Sequence, residues 1–152
     1  MLFRSQMGLA RMLPRTDLII VTTPAVSAQK VAIRAADMAR RSFLRVAGVI
    51  ENMSSFTCEH GSSYPLFGEG GGRALANDIG AELLGQIPLE AAVAHGGDVG
   101  EPIAIDGSSA AARVFADIAK YIESTTVSVT ELSGCSTRDE NVVAVSVRSQ
   151  SR

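Results

Sequence analysis

Apolar positions along this chain follow two spacings that alternate. Asp17-Leu18-Ile19-Ile20-Val21-Thr22-Thr23 is almost continuous in aliphatic and β-branched residues, the pattern of a strand covered on both faces of a parallel sheet. Pro24 closes it. Over residues 27–41 the period becomes helical, with Val31, Ala35 and Met38 expected on the inner face and Lys30, Arg34, Asp37 and Arg41 on a solvated one. Val46-Ala47-Gly48-Val49-Ile50-Glu51-Asn52 returns to the strand pattern. The stretch between the two strands is long enough for a crossover helix, so the unit reads as βαβ.

The alternation continues with weaker signals. Residues 53–67 read as a loop, and Gly68-Glu69-Gly70-Gly71-Gly72-Arg73 leads into a helix marked by Ala74, Leu75, Ala76 and Ile79 and stopped by Gly80. Residues 82–87 predict a third strand closed by Pro88. A short helix follows over 89–95, then a turn-rich loop over 96–102. The last helix is expected over 108–122, capped by Ser108 or Ser109, with Ala112, Phe115, Ile118, Ala119 and Ile122 turned inward. Ahead of the first strand, Met7, Leu9, Ala10, Met12 and Leu13 could line a short helix ending before Pro14, and residues 1–5 carry no pattern. Residues 124–152 read as a tail that could hold one strand at 141–147. Strands joined by helices imply an α/β fold in which ligands sit beyond the carboxyl ends of the strands.

Composition narrows the function more by exclusion than by suggestion. A chain of 152 residues, 46% hydrophobic and 20% charged, can bury a real core. Its formal net charge of −2 provides no global attraction for nucleic acid or anionic membranes. The two cysteines, Cys58 and Cys135, lie far apart, and neither a secretory signal nor an apolar run of transmembrane length is visible. The cytoplasm is the expected compartment, with no nucleic-acid or membrane partner.

Three positions could carry chemistry, and each has a plainer reading. The Gly68–Arg73 block could cradle a phosphate with backbone N–H groups, or it could be a tight loop-to-helix junction; no G-x-x-x-x-G-K-[ST] occurs in the chain. Asn52, at a strand end, has the donor and acceptor that suit a purine edge, but strand-end asparagines also form turns. Cys58, with His60 two residues on, supplies too few ligands to close a tetrahedral metal site alone, and a lone loop cysteine is the alternative. His95 reads as a helix-end residue.

Read together, Met7-Gly8-Leu9-Ala10, Leu18 through Pro24, Gly48-Val49-Ile50-Glu51-Asn52-Met53-Ser54, Phe67 through Gly72, Leu84-Gly85-Gln86-Ile87-Pro88-Leu89 and Gly97-Asp98-x-Gly100-x-Pro102 resemble the Mrp/ApbC family of iron–sulfur cluster carrier ATPases, relatives of MinD-type P-loop proteins. The resemblance covers about residues 6–123. It implies a partial doubly wound, mostly parallel sheet of the P-loop NTPase (MinD-like) type with flanking helices, and a homodimer that binds Mg-ATP and passes a bridging Fe–S cluster to apo-protein clients. By that resemblance Asn52 reads adenine and Pro88, Leu89 and Glu90 flank it. Cys58 matches the first cysteine of the family's C-x-x-C, whose second falls on Gly61 here, and His60 becomes a candidate substitute ligand.

The resemblance begins past the family's phosphate-binding loop, so this chain is expected to be a carboxyl-terminal portion of such a protein. It should not hydrolyse ATP alone, because P-loop catalysis rests on backbone amides, Lys and Mg²⁺ around the phosphates. Residues 18–23 should then expose an unpaired sheet edge, making the chain aggregation-prone or partner-dependent. The alternatives are a MinD/ParA-like scaffold or partitioning subunit, and a fragment with no function.

Overall fold

The structure is a computed structural model that describes residues 8, 12, 16–105 and 107–125. The chain runs β1 (Leu18–Thr22), α1 (Val26–Arg41), β2 (Val46–Thr57), β3 (Ser63–Tyr64), α2 (Gly71–Ile79), β4 (Leu83–Leu89), α3 (Ala91–Val99) and α4 (Ala110–Thr125). β2 lies in the middle, paired in parallel with β1 on one side and β4 on the other. Its far end also pairs antiparallel with β3 through Phe56–Tyr64 and Thr57–Ser63. The expected short helix over 7–13, apart from helical Gly8 and Met12, and the expected strand at 141–147 lie outside the described residues.

Side-chain alternation along the strands builds a core on each face of the sheet. Ile20 and Val49 point to the face where Ala32 and Ala36 of α1 and Leu75 and Ala76 of α2 bury them. Ile50, Leu84 and Ile87 serve the opposite face, packed with Ala111, Phe115 and Ile118 of α4. Successive residues of a strand point to opposite faces, so continuous apolar runs are what two covered faces require. This is the doubly wound α/β arrangement expected from the sequence.

Helix ends follow their local chemistry. Gly80, at φ 66°, stops α2 in the left-handed conformation that glycine adopts without steric cost. Arg40 and Arg41 occupy the last turn of α1, where cations oppose the negative end of the helix, and Arg40 donates to the Ile79 carbonyl at 2.7 Å, tying α1 to α2. Ser109 caps α4, its Oγ accepting from the Ala112 N–H at 3.1 Å.

Four expectations change. The inner stripe of α1 is Ala32, Ala36 and Ala39, one residue on from Val31, Ala35 and Met38, and Val31 is 61% exposed. Small residues let this helix sit close to the sheet, so the bulkier row is displaced sideways. In α4, Ala111 is buried and Ala119 exposed. Residues 53–57, expected in a loop, extend β2, because β4 and β3 supply ladder partners that local composition does not reveal. Finally, α3 runs through Gly96-Gly97-Asp98, expected as a turn, which places His95 in mid-helix and exposed. Gly96 is buried there for space: a Cβ would lie 2.5 Å from the Glu101 carbonyl oxygen.

Candidate functional site

Midway along β2, level with the carboxyl end of β1, a buried carboxylate organises the surroundings. Glu51 is 1% exposed; its Oε2 accepts from the Gly72 N–H at 2.5 Å and its Oε1 from the Gln86 side-chain amide at 2.7 Å. A buried charge is tolerated only with such partners, and a negative group at the amino end of α2 also meets the helix dipole favourably. Gly72 cannot carry a side chain, since a Cβ would lie 2.6 Å from the Glu51 Cβ. Nor can Gly71, whose Cβ would lie 2.3 Å from the Pro24 carbonyl oxygen. With Gly68 and Gly70 at positive φ, the glycine block is a tight loop-to-helix junction, and the Gly72 N–H within it is already bonded. Sequence reasoning passed over Glu51. Its signal was a single acid inside an otherwise apolar strand.

The next residues depart from regular strand geometry. The Asn52 Oδ1 accepts from the Met53 N–H at 2.9 Å, and Met53 stands at φ 57°, a left-handed backbone that costs an L residue about 1–2 kcal/mol. The register against β4 slips here, from Asn52 opposite Ile87 to Phe56 opposite Leu89. Asn52 also lines, with Thr22 and Thr23, the polar end of a cavity of about 600 Å³ that extends along β1 and α1. Pro88 and Leu89 lie in β4, at the same end of the sheet as Asn52. Glu90 is otherwise engaged: its Oε1 accepts from the Ala111 N–H at 2.9 Å, at the amino end of α4.

Six residues past Asn52, the same strand delivers Cys58 to a hairpin. The Cys58 N–H donates to the Ser62 carbonyl and the Gly61 N–H to the Cys58 carbonyl, each at 2.9 Å, and Gly61 stands at φ 80°. A three-residue hairpin loop of this form needs its last residue in the left-handed region, which explains glycine at position 61. The backbone amide of His60, and after it that of Ser62, holds the Cys58 thiol below the ordinary thiol range. His60 is exposed on the same turn. Among the described residues no group of three or more His, Cys, Asp or Glu could hold a metal ion. Among the described residues Cys58 is the one cysteine, so this turn offers a metal a single sulfur per chain.

Residues 4–123 match the family described as ParA: NUBPL iron-transfer P-loop NTPase. The chain is 41% identical over 110 residues to the iron–sulfur cluster carrier protein of Mycobacterium tuberculosis, covering 68% of this chain and 29% of that one. It is 36% identical over 118 residues to the protein of the same description from Helicobacter pylori, covering 76% and 32%. It thus spans about a third of the length of the curated relatives it matches. Two solved structures share the fold: the MinD cell division protein of Aquifex aeolicus (TM-score 0.53, 23% identity, 72% of this chain and 44% of that one) and the cell division ATPase MinD of Pyrococcus furiosus (0.54, 21%, 71% and 42%). With four-fifths of its length matched from β1 through α4, this chain belongs to the iron-transfer P-loop NTPase family.

Proposed function

We propose that the protein acts in iron–sulfur cluster assembly, as the adenine-side and cluster-side portion of an ATP-dependent carrier that delivers clusters to apo-proteins in the cytoplasm. The observation that carries this reading is the placement of Asn52 and Cys58 six residues apart along one run of chain, the first beside the backbone distortion at Met53 within β2 and the second just past the end of β2 in a hairpin that favours its thiolate. Asn52 offers an amide to a base edge, with Pro88 and Leu89 flanking it. Glu90 contributes by holding α4 beneath them rather than by touching nucleotide.

The chain's own groups fit adenine better than phosphate. Gly71 and Gly72 are packed against Pro24 and Glu51, and the Gly72 N–H is already bonded, so the glycine junction makes a poor phosphate cradle. ATP hydrolysis then depends on a phosphate loop contributed from elsewhere, and residues 6–123 act as the carboxyl-terminal part of a P-loop domain. The cluster is cargo. A [4Fe–4S] cluster usually takes four thiolates, so a homodimer supplying Cys58 from each protomer has two and completes the set with His60 or small-molecule thiols.

Anaerobic reconstitution with iron and sulfide, followed by transfer to an apo-ferredoxin, tests the reading. Iron bound in proportion to Cys58 and passed on to the acceptor is the expected result. Full iron loading in a Cys58→Ala variant would remove that residue from the cargo site.

A further inference from the structure

Cys58 sits in an excursion of the chain between Asn52 and Gly71, and one side chain closes that excursion at its base. Glu51 precedes Asn52, where the outgoing limb begins with left-handed Met53, and its Oε2 accepts from the N–H of Gly72, where the return limb enters α2. Between these roots the chain is tied mostly to itself. Phe56 and Thr57 pair with Tyr64 and Ser63, and only Phe56 also pairs with the sheet, opposite Leu89. The backbone bonds of the return limb are local, from Leu66 to the Tyr64 carbonyl at 3.1 Å and from Gly68 to the Pro65 carbonyl at 3.2 Å. Its first firm seat is therefore the Gly71-Gly72 pair, packed against Pro24 and Glu51. The N-cap of α2 is Gly70, which has no side chain to cap with, so the Glu51 carboxylate caps the helix from the neighbouring strand. The second oxygen of Glu51 is held from β4 by Gln86, its partner in the ladder.

We propose that Glu51 is the positioning residue of the cargo hairpin: by pinning Gly72 it fixes the return limb, and with it the direction in which Cys58 is presented to an acceptor. Two tethers fix an orientation where one leaves a pivot. With the Gly72 bond intact, the hairpin is held through β2 on one side and through residues 65–71 on the other. With it broken, the outgoing strand and its pairing opposite Leu89 carry the hairpin alone. A carboxylate suits the place because its two oxygens accept in two directions, from α2 and from β4. The charge itself is dispensable. A glutamine at position 51 can accept from Gly72 with its oxygen and donate to the Gln86 oxygen once that amide turns over, so the role lies in bond geometry. The proposal rests on the carrier reading above, because a fixed direction matters only if Cys58 hands over a cargo.

Spin labels on Cys58 and on Arg34→Cys, at an exposed position of α1, measure the hairpin against the rest of the full chain in a Cys135→Ser background by pulsed dipolar spectroscopy. One narrow distance distribution is expected in this parent. Glu51→Met keeps the bulk and removes both acceptors; it should broaden the distribution and speed exchange of the Gly72 amide about tenfold or more, while Glu51→Gln returns both to the parent's values. Gln86→Ala, at an exposed position, releases one oxygen and should broaden the distribution partway, which keeps the test decisive if Glu51→Met does not fold. In unlabelled chains, iron transfer to apo-ferredoxin should slow several-fold in Glu51→Met with the iron content unchanged. A distribution unmoved in every folded variant, one broadened as much by Glu51→Gln as by Glu51→Met, or unaltered transfer from a chain whose loading depends on Cys58 would each overturn the proposal. A broadened distribution with iron loading indifferent to Cys58→Ala would leave the clamp standing and sink the carrier reading. Loading that depends on Cys58, with a distribution that no variant moves, would do the reverse.

Discussion

Replacing Gly72 by Ala is the sharpest probe of the Glu51 junction. The added Cβ would lie 2.6 Å from the Glu51 Cβ and 3.0 Å from its Oε2, both closer than side chains tolerate, so either α2 or Glu51 must move. Overpacking of this kind costs about 1–3 kcal/mol. Lengthening the hydrogen bond from the Gly72 N–H to a buried carboxylate adds about 1–3 kcal/mol, and the better helix propensity of alanine returns up to about 1. The expected net loss is about 3 kcal/mol. Gly97→Ala is the matched control, since Gly97 is exposed, lies within α3, and a Cβ added there would meet no atom within 4 Å. It should gain a few tenths of a kcal/mol, up to about 1. Urea unfolding of the full chain, followed by far-UV circular dichroism, reads both variants. If Gly72→Ala loses less than about 0.5 kcal/mol, the close contact between α2 and Glu51 does not constrain the junction and the reasoning fails.

Other perturbations test neighbouring parts. Glu90→Ala should cost about 1 kcal/mol by freeing the Ala111 N–H at the start of α4, visible as faster amide exchange in that first turn; unchanged exchange would show that Ser109 caps the helix alone. Gly61→Cys places a second thiol on the hairpin at a cost of about 1–2 kcal/mol for a left-handed L residue, and it should raise iron bound per chain after anaerobic reconstitution; unchanged iron would argue against the hairpin as the cargo site. The hydrogen bond from Arg45, with its charge, holds the Asp17 carboxyl below its ordinary range. That contribution is therefore present above the unfolded-state carboxylate pKa and is lost as pH falls through the lower folded value. Since the pair is half exposed, Asp17→Asn should cost only about 0.5 kcal/mol at neutral pH and flatten the acid limb of a stability profile; an acid limb identical to the parent's would discount the pair.

What the sequence revealed and what it hid divide along physical lines. Continuous apolar runs marked β1, the first half of β2 and β4, because burial on both faces demands them. The stop at Gly80 and the cap at Ser109 were legible, since single residue types dictate those conformations. The second half of β2 was hidden: residues 53–57 carry no strand alternation and join the ladder only because β3 and β4 flank them. Glycine misled in one place and informed in another. Gly96 breaks no helix because it is there to admit the Glu101 carbonyl, whereas the block at 68–72 was readable as a tight junction. The register of α1 was missed by one position, since a row of alanines competes poorly with valine and methionine in any hydrophobic count but packs closer.

The pairing of a mid-strand distortion with a distal hairpin gives β2 a mechanical character. Beyond Met53 the strand runs on, paired with Leu89 of β4 and with β3 near its end, to the hairpin that carries Cys58, and residues 59–70 are all exposed. Six residues of extended chain reach at most about 20 Å, so a pivot of about 10° at Asn52-Met53 would swing the sulfur by about 3 Å. An arm of that length turns a small adjustment at its root into a displacement larger than an Fe–S bond.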